Sequence, residues 1–299
     1  MSKEKRALEN LEESEEEEYY MDSPISEDAD SEDSSEVDMV NVDFEFFDLK
    51  EIDFHAIKRL LIQYFGDDNT LFDLGELADL IVKQKYVGST VKVEKEEDPY
   101  AFFTVLNLTE YKEKQCIKQI VNYLVGKSES NKNAHLKLVD LVVDQNNGKL
   151  PEVGLLLHER LPNMPPQIVP PMMKMLFEEI QWAIEDKERY EFEWYILVSP
   201  TFKEISPNKS KSSGSATDPS GKKKHAKSFD HISYLHQEDE FIAPFADFSF
   251  DFKLSNSTRP TGTLNAFGEY SLNFRRRCFV FHKDKLPLIY DKLETLFRA

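Results

Sequence analysis

Cysteine is scarce. Cys116 and Cys278 are the two in 299 residues, and neither has a second Cys or a His at zinc-ligand spacing. That excludes a disulfide framework and a zinc finger or ribbon, and both residues read as buried thiols. Glycine is also low, at 10 residues, and no G-x-G-x-x-G or G-x-S-x-G run occurs, so the usual dinucleotide-cradling and nucleophile-elbow signatures are absent. No window approaches the ~18 consecutive apolar residues of a membrane helix, and Met1 opens a charged stretch rather than a hydrophobic signal segment. No membrane partner is expected, and the expected compartment is cytosol or nucleus. The triplets beginning at Asn107 and Asn256 are then chance matches to the glycosylation pattern. Positive charge is in deficit as well: 37 Lys and Arg face 56 Asp and Glu, a net of −19. Such a field repels phosphate backbones at long range, so direct nucleic-acid binding is not expected.

What is present is acid, unevenly placed. Residues 1–38 hold sixteen acids against three bases, a net of −13, while the remaining 261 residues carry only −6. The first segment, with Glu15-Glu16-Glu17-Glu18 and a Ser/Asp/Glu mixture through Ser35, has too few apolar groups to offset backbone ordering, and reads as a disordered acidic tail. Ser14 and Ser35 each have an acid three residues later, a pattern that acidophilic kinases favour. Both are candidate phosphorylation sites, and each would gain ~1.5–2 negative charges.

From residue 39 onward the pattern changes to that of a folded body. Val40, Val42, Phe44 and Phe46 alternate with polar residues as a strand does, and Asp53 is placed to cap a helix carrying Ile57, Leu60, Leu61, Tyr64 and Phe65, which Gly66 ends. Leu74, Leu77, Ala78 and Ile81 mark a second helix. Residues 87–93 and 100–108 form a hairpin whose second arm, Ala101–Leu106, is nearly continuous in apolar residues and therefore central in a sheet. A helix is expected over 110–126, Leu136–Val143 is a short apolar run open to helix or strand and read as helix, and a buried strand is expected over Val153–His158. Pro171 then opens a long helix lined by Met173, Leu176, Phe177, Ile180 and Ile184. Strands follow at Phe192–Val198, at Phe248, Phe250 and Phe252, and at Tyr270–Phe281. A last helix follows, with Asp284 as cap, Pro287 in its first turn, and Leu286, Ile289, Tyr290, Leu293, Leu296 and Phe297 as its stripe. Helices and strands mix without a repeat, so residues 39–299 should form a single α/β domain, helices packed on a mixed central sheet.

Residues 206–228 interrupt that domain with six lysines, one acid and no apolar periodicity, the composition of a flexible insertion. Within it Lys222, Lys223, Lys224 and Lys227 cluster as a nuclear-import signal does, which makes an import receptor an expected partner.

Other fragments only resemble chemistry. Gly126-Lys127-Ser128 looks like the end of a phosphate loop but follows a helix, and reads as that helix's C-cap. Arg259–Leu264 partly imitates the pyrophosphate loop of acetyltransferases, with Leu264 where a small residue is needed, and reads as a turn. None of the seven histidines sits at metal-ligand spacing from another ligand, so His55 and His158 read as packing or hydrogen-bonding residues, and no metal or cofactor is expected. Arg275-Arg276-Arg277 lies mid-strand, where alternate guanidiniums face opposite ways and pair with carboxylates such as Asp247 and Asp251. No catalytic residue is marked.

Several segments together, Val40–Asp48, Asp53-Phe54-His55 with Ile57-Lys58, Val87–Lys92, Asp98-Pro99-Tyr100 and Val169–Met172, resemble the BCCIP family. The likeness runs from about Val40 to the C-terminus, and the tail and lysine-rich insertion fit its fungal branch. The resemblance implies an acetyltransferase-like fold without its coenzyme loop and without catalytic activity. It implies a nucleus–cytoplasm shuttling protein, mainly nuclear, that acts as chaperone of a basic large-subunit ribosomal protein of the L twenty-three (uL fourteen) type. It also implies help in nuclear export of a phosphatidylinositol-phosphate kinase. Animal relatives imply cell-cycle and DNA-repair contacts. The charge balance agrees on separate grounds, because an acidic protein can cover the RNA-binding surfaces of a basic one. The rival classes are a divergent acetyltransferase-fold enzyme and a cell-cycle or DNA-repair adaptor.

Overall fold

Eight strands, each too short to be stable alone, join into one sheet in the order β1-β2-β3-β4-β5-β8-β7, with β6 paired to part of β5. The computed structural model describes residues 44–93, 98–143, 150–205, 232–256 and 271–297, within the compact unit Val42–Ala299. The strands are β1 (Glu45–Asp48), β2 (Ser89–Lys92), β3 (Ala101–Asn107), β4 (Val153–Arg160), β5 (Trp194–Ile205), β6 (Ser233–Tyr234), β7 (Phe248–Phe252) and β8 (Ser271–His282). The helices are α1 (Phe54–Phe65), α2 (Leu74–Val82), α3 (Gln115–Ser128), α4 (Lys132–Val142), α5 (Val169–Glu185), α6 (Gln237–Ile242) and α7 (Leu286–Phe297). β4 and β5 run parallel and every other pair is antiparallel, so the sheet is mixed.

The apolar run of β3 explains the layering. Phe102 and Leu106 face a core with α1, α2, α3 and α4, whereas Ala101, Phe103 and Val105 face a second core with α5, α6 and α7. A strand covered on both faces has no polar side to offer, and β3 is buried at every position. Truncating Phe102, Phe103 or Leu106 to Ala would cost about 2–5 kcal/mol.

Most expected elements form. Pro170 and Pro171 both sit in the first turn of α5, where their missing N–H groups cost nothing. Gly66 closes α1 at φ 59°, and the apolar run read as helix over 136–143 lies in α4, which starts earlier, at Lys132, and ends at Val142. The strand readings at Val40 and Val42, the acidic tail and the insertion lie outside the described residues.

Four local readings change. The Asp53 carboxylate makes no cap bond to α1; it accepts from the Lys50 N–H at 3.0 Å and from Lys92 Nζ at 2.6 Å, a buried ion pair tying α1 to β2. Gly126-Lys127-Ser128 forms the last turn of α3 rather than its cap. Asp284 lies in a 3-10 turn before α7, where its carboxylate is 2.9 Å from His282 Nδ1. Leu296, expected on the inner stripe of α7, is 41% exposed.

Candidate functional site

Charge gathers in two places. The first is a groove at the end of α5. That helix must stop for the chain to enter β5, and it does so with Lys187 at φ 65°. The Lys187 N–H bonds the Ile184 carbonyl at 2.9 Å and the Glu188 N–H bonds the Ala183 carbonyl at 2.9 Å. This is the double closure usually given to glycine, here carrying a lysine in strained backbone. The chain then alternates: Tyr190 and Phe192 turn inward and are buried, and Arg189, Glu191 and Glu193 project outward. With Glu152, Glu188, Trp194 and Leu141 they border a groove of about 860 Å³.

Within the groove Arg189 is committed to Glu152 through a short ion pair, and Asn107 Nδ2 holds the other Glu152 oxygen at 2.7 Å. The Glu152 partner raises Arg189 further above its ordinary value. Glu188, Glu191 and Glu193 form no ion pair among the described residues, so the mouth is negative apart from Lys187. Glu110 beside it feels the same field: partial burial, then Glu188 and Glu152, push its carboxyl up against the pull of Arg189. Such a surface attracts cationic side chains, with Trp194 as an aromatic wall.

The second place is internal. β4 and β5 stay paired for only four positions, from Val153 with Trp194 to Leu156 with Leu197. Beyond that they part, and β5 takes β6 as its neighbour at Thr201 and Phe202. The chain from β6 into α6 fills the opening: Leu235 N–H bonds the Pro200 carbonyl at 3.0 Å, and Ser199 donates to Asp239 at 2.5 Å. His158, Glu159 and Arg160 at the free end of β4 thereby meet His236, Glu238 and Asp239, all six of them buried. Arg160 forks onto both Glu238 oxygens. Burial alone would push His158 down, but Asp239 and Glu238 outweigh burial and Arg160 and hold the imidazole above its ordinary value. Asp239 is lowered, because His158, His236 and Ser199 outweigh its own burial.

No sequence spacing announces this grouping; the fold brings His158 beside Glu238 and Asp239, and His236 beside Glu159 and Glu238. His158 and His236 lie far apart in sequence. His55 is exposed on α1, its ring edge-on to that of its neighbour Phe54.

Of the arginine triplet, Arg277 takes Asp251 in a two-pronged bond at 2.6 and 2.9 Å, whereas Arg276 points to the opposite face and donates to the Tyr64 carbonyl at 2.9 Å. Asp247 caps the edge instead, accepting from the His282 N–H at 2.8 Å. Lys127 straps α3 to the chain after β7 through Ser255 at 2.7 Å and makes no phosphate site. Both cysteines are buried; burial and Glu76 push Cys116 up to about 12, and burial raises Cys278, so neither thiol is activated. Lys222, Lys223, Lys224 and Lys227, Ser14 and Ser35, and the Arg259–Leu264 turn lie outside the described residues.

Comparison with known proteins adds three findings. A family model described as BCCIP matches residues 39–242. The chain is 40% identical over 272 residues to the protein bcp1 of Aspergillus oryzae, covering 89% of this chain and 91% of that one. It is 40% identical over 266 residues to bcp1 of Schizosaccharomyces pombe, covering 88% and 93%. Among solved structures, the crystal structure of BCP1 from Saccharomyces cerevisiae superimposes with a TM-score of 0.59 at 25% identity, covering 88% of this chain and 92% of that one.

Proposed function

The chain belongs to the BCCIP family, and from that premise we propose that it is a non-catalytic nuclear escort which binds a basic large-subunit ribosomal protein before assembly and assists nuclear export of a lipid-kinase cargo. The observation that carries the reading is the placement of acid: −13 within the first 38 residues, and a folded body whose groove presents Glu188, Glu191 and Glu193 beside Trp194. A tail of that charge speeds encounter with a cationic client, and a shaped groove selects it. The opening between β4 and β5 is filled by protein side chains, which supports a binding protein over an acetyltransferase-fold enzyme.

The test is direct binding of the purified full chain to a purified basic large-subunit ribosomal protein at low and high salt. Tight, salt-weakened binding is expected, falling about tenfold in E188K/E191K/E193K. Unchanged affinity in that variant would move the client to another face. Calorimetry with acetyl-coenzyme A separates the rival class: micromolar binding would sink the non-catalytic reading.

Traffic follows the lysine cluster. A fluorescent fusion with Lys222, Lys223, Lys224 and Lys227 changed to Ala should lose nuclear accumulation, since import receptors read clustered charge on an accessible segment. Accumulation equal to the parent's would return residues 206–228 to the role of a solvated loop.

A further inference from the structure

The parting of β4 and β5 brings ligand atoms together in a way that hydrogen bonding leaves unfinished. One ring nitrogen of His158, one of His236 and a carboxylate oxygen of Glu238 lie within 4.8 Å of one another. Both Nδ1 atoms face the same oxygen, which also accepts from Arg160 Nη1: His158 Nδ1 is 4.0 Å and His236 Nδ1 3.7 Å from Glu238 Oε1. These separations are too long for direct hydrogen bonds, which close to about 2.7–3.2 Å. They are close to the edges of a tetrahedral site, about 3.4 Å when metal–ligand bonds are about 2.0–2.2 Å. A contraction of roughly half an ångström would close these two edges.

The opposite ring nitrogens carry a second observation. His158 Nε2 faces Asp239 Oδ1 at 3.7 Å, and His236 Nε2 faces Glu159 Oε1 at 3.2 Å. Yet His236 Nε2 and Asp239 Oδ1 are both buried without a hydrogen-bond partner, in residues only 4% and 0% exposed. A carboxylate behind each imidazole is the arrangement that fixes the tautomer and aim of a metal-bound histidine. Fixed charge points the same way: Arg160 is bonded to Glu238 and Arg276 lies within electrostatic reach of Glu159, which leaves Asp239 to be met by a protonated imidazole or by a bound cation.

We propose that His158, His236 and Glu238 form a binding site for a borderline divalent cation of the zinc type, with Asp239 and Glu159 orienting the two imidazoles. Two nitrogens and one oxygen suit that class better than the all-oxygen sites of magnesium or calcium. The ion ties the segment that carries α6 to the end of β4, so it acts as a staple across the place where the sheet opens.

The test uses the untagged full chain, stripped with a chelator and titrated with Zn2+ against a competing chelator. One equivalent bound and a higher melting temperature are expected. H158Q/H236Q should lose that equivalent, and H55Q/H282Q should keep it. Should the first variant fail to fold by circular dichroism, Co2+ loaded into the native chain decides instead, with the intense visible absorption of a four-coordinate site expected. No uptake by the stripped native chain, uptake that survives H158Q/H236Q, or a weak six-coordinate Co2+ spectrum would each overturn the proposal and leave the two histidines as simple partners of the three acids.

Discussion

The groove after α5 and the opening between β4 and β5 use the same residue types to opposite ends. At the groove, Glu188, Glu191 and Glu193 are exposed, so water and salt screen them and their worth lies in long-range attraction. At the opening, Glu159, Glu238 and Asp239 are 3%, 0% and 0% exposed, so each must be matched by a cation or a donor within a few ångströms. Acid in one place chooses what the protein meets. In the other it holds the segment that carries α6 against the ends of β4 and β5.

The comparison is broken most severely at Arg160. Its side chain is buried and holds both oxygens of Glu238, so in the chelator-stripped chain R160M keeps most of the volume and leaves a carboxylate without its partner. Urea unfolding should show a loss of about 3–5 kcal/mol. The double variant R160M/E238Q, which removes the stranded charge, should recover part of it. A loss below about 1 kcal/mol in R160M would mean that the opening is wet enough to screen Glu238.

Glu179 on α5 offers an intermediate case, because it is buried yet pairs with no cation among the described residues. Its oxygens accept from the Gly88 N–H at 2.8 Å and from Ser89 Oγ at 2.6 Å. Burial raises its carboxyl above the ordinary 4.5, and those two bonds only partly oppose the shift. A raised value means that the folded state holds the proton more tightly than the unfolded one. The stability it contributes is therefore full below pH 4.5 and lost as pH rises through the folded value. E179Q should flatten the part of the stability–pH curve just above that point, measured as the difference between parent and variant melts. Parallel curves would show Glu179 titrating as in the unfolded chain.

The residues that could be read in advance are those whose role is set by neighbours in sequence. The continuous apolar run of β3, the proline start of α5 and the alternation of Arg276 and Arg277 each follow from a local period. Asp53 could not be read that way, since its cap geometry lost to Lys92, a residue that only the pairing of β1 with β2 brings near. The histidine cluster was hidden for the same reason: Arg160 and Glu238 are 78 positions apart, and what joins them is the parting of two strands. The groove was half legible. Alternation of Tyr190 and Phe192 with Glu191 and Glu193 is visible locally, but the turn at Lys187 and the arrival of Glu152 are tertiary facts.

The mildest expected effect on stability belongs to the groove itself. E188K/E191K/E193K changes six units of charge, more than any substitution at the opening, yet all three side chains are exposed and form no ion pair among the described residues. Surface charges in such settings contribute within about 0.5 kcal/mol of zero, and salt reduces even that. The Arg189–Glu152 pair that shapes the groove is left untouched. The urea midpoint should therefore stay where it is while affinity for a basic client falls, and the two readouts should separate most clearly at low salt. A variant that lost stability in step with affinity would show instead that these three glutamates hold the turn after α5 in shape, and the distinction between a recruiting region and a structural one would fail at this site.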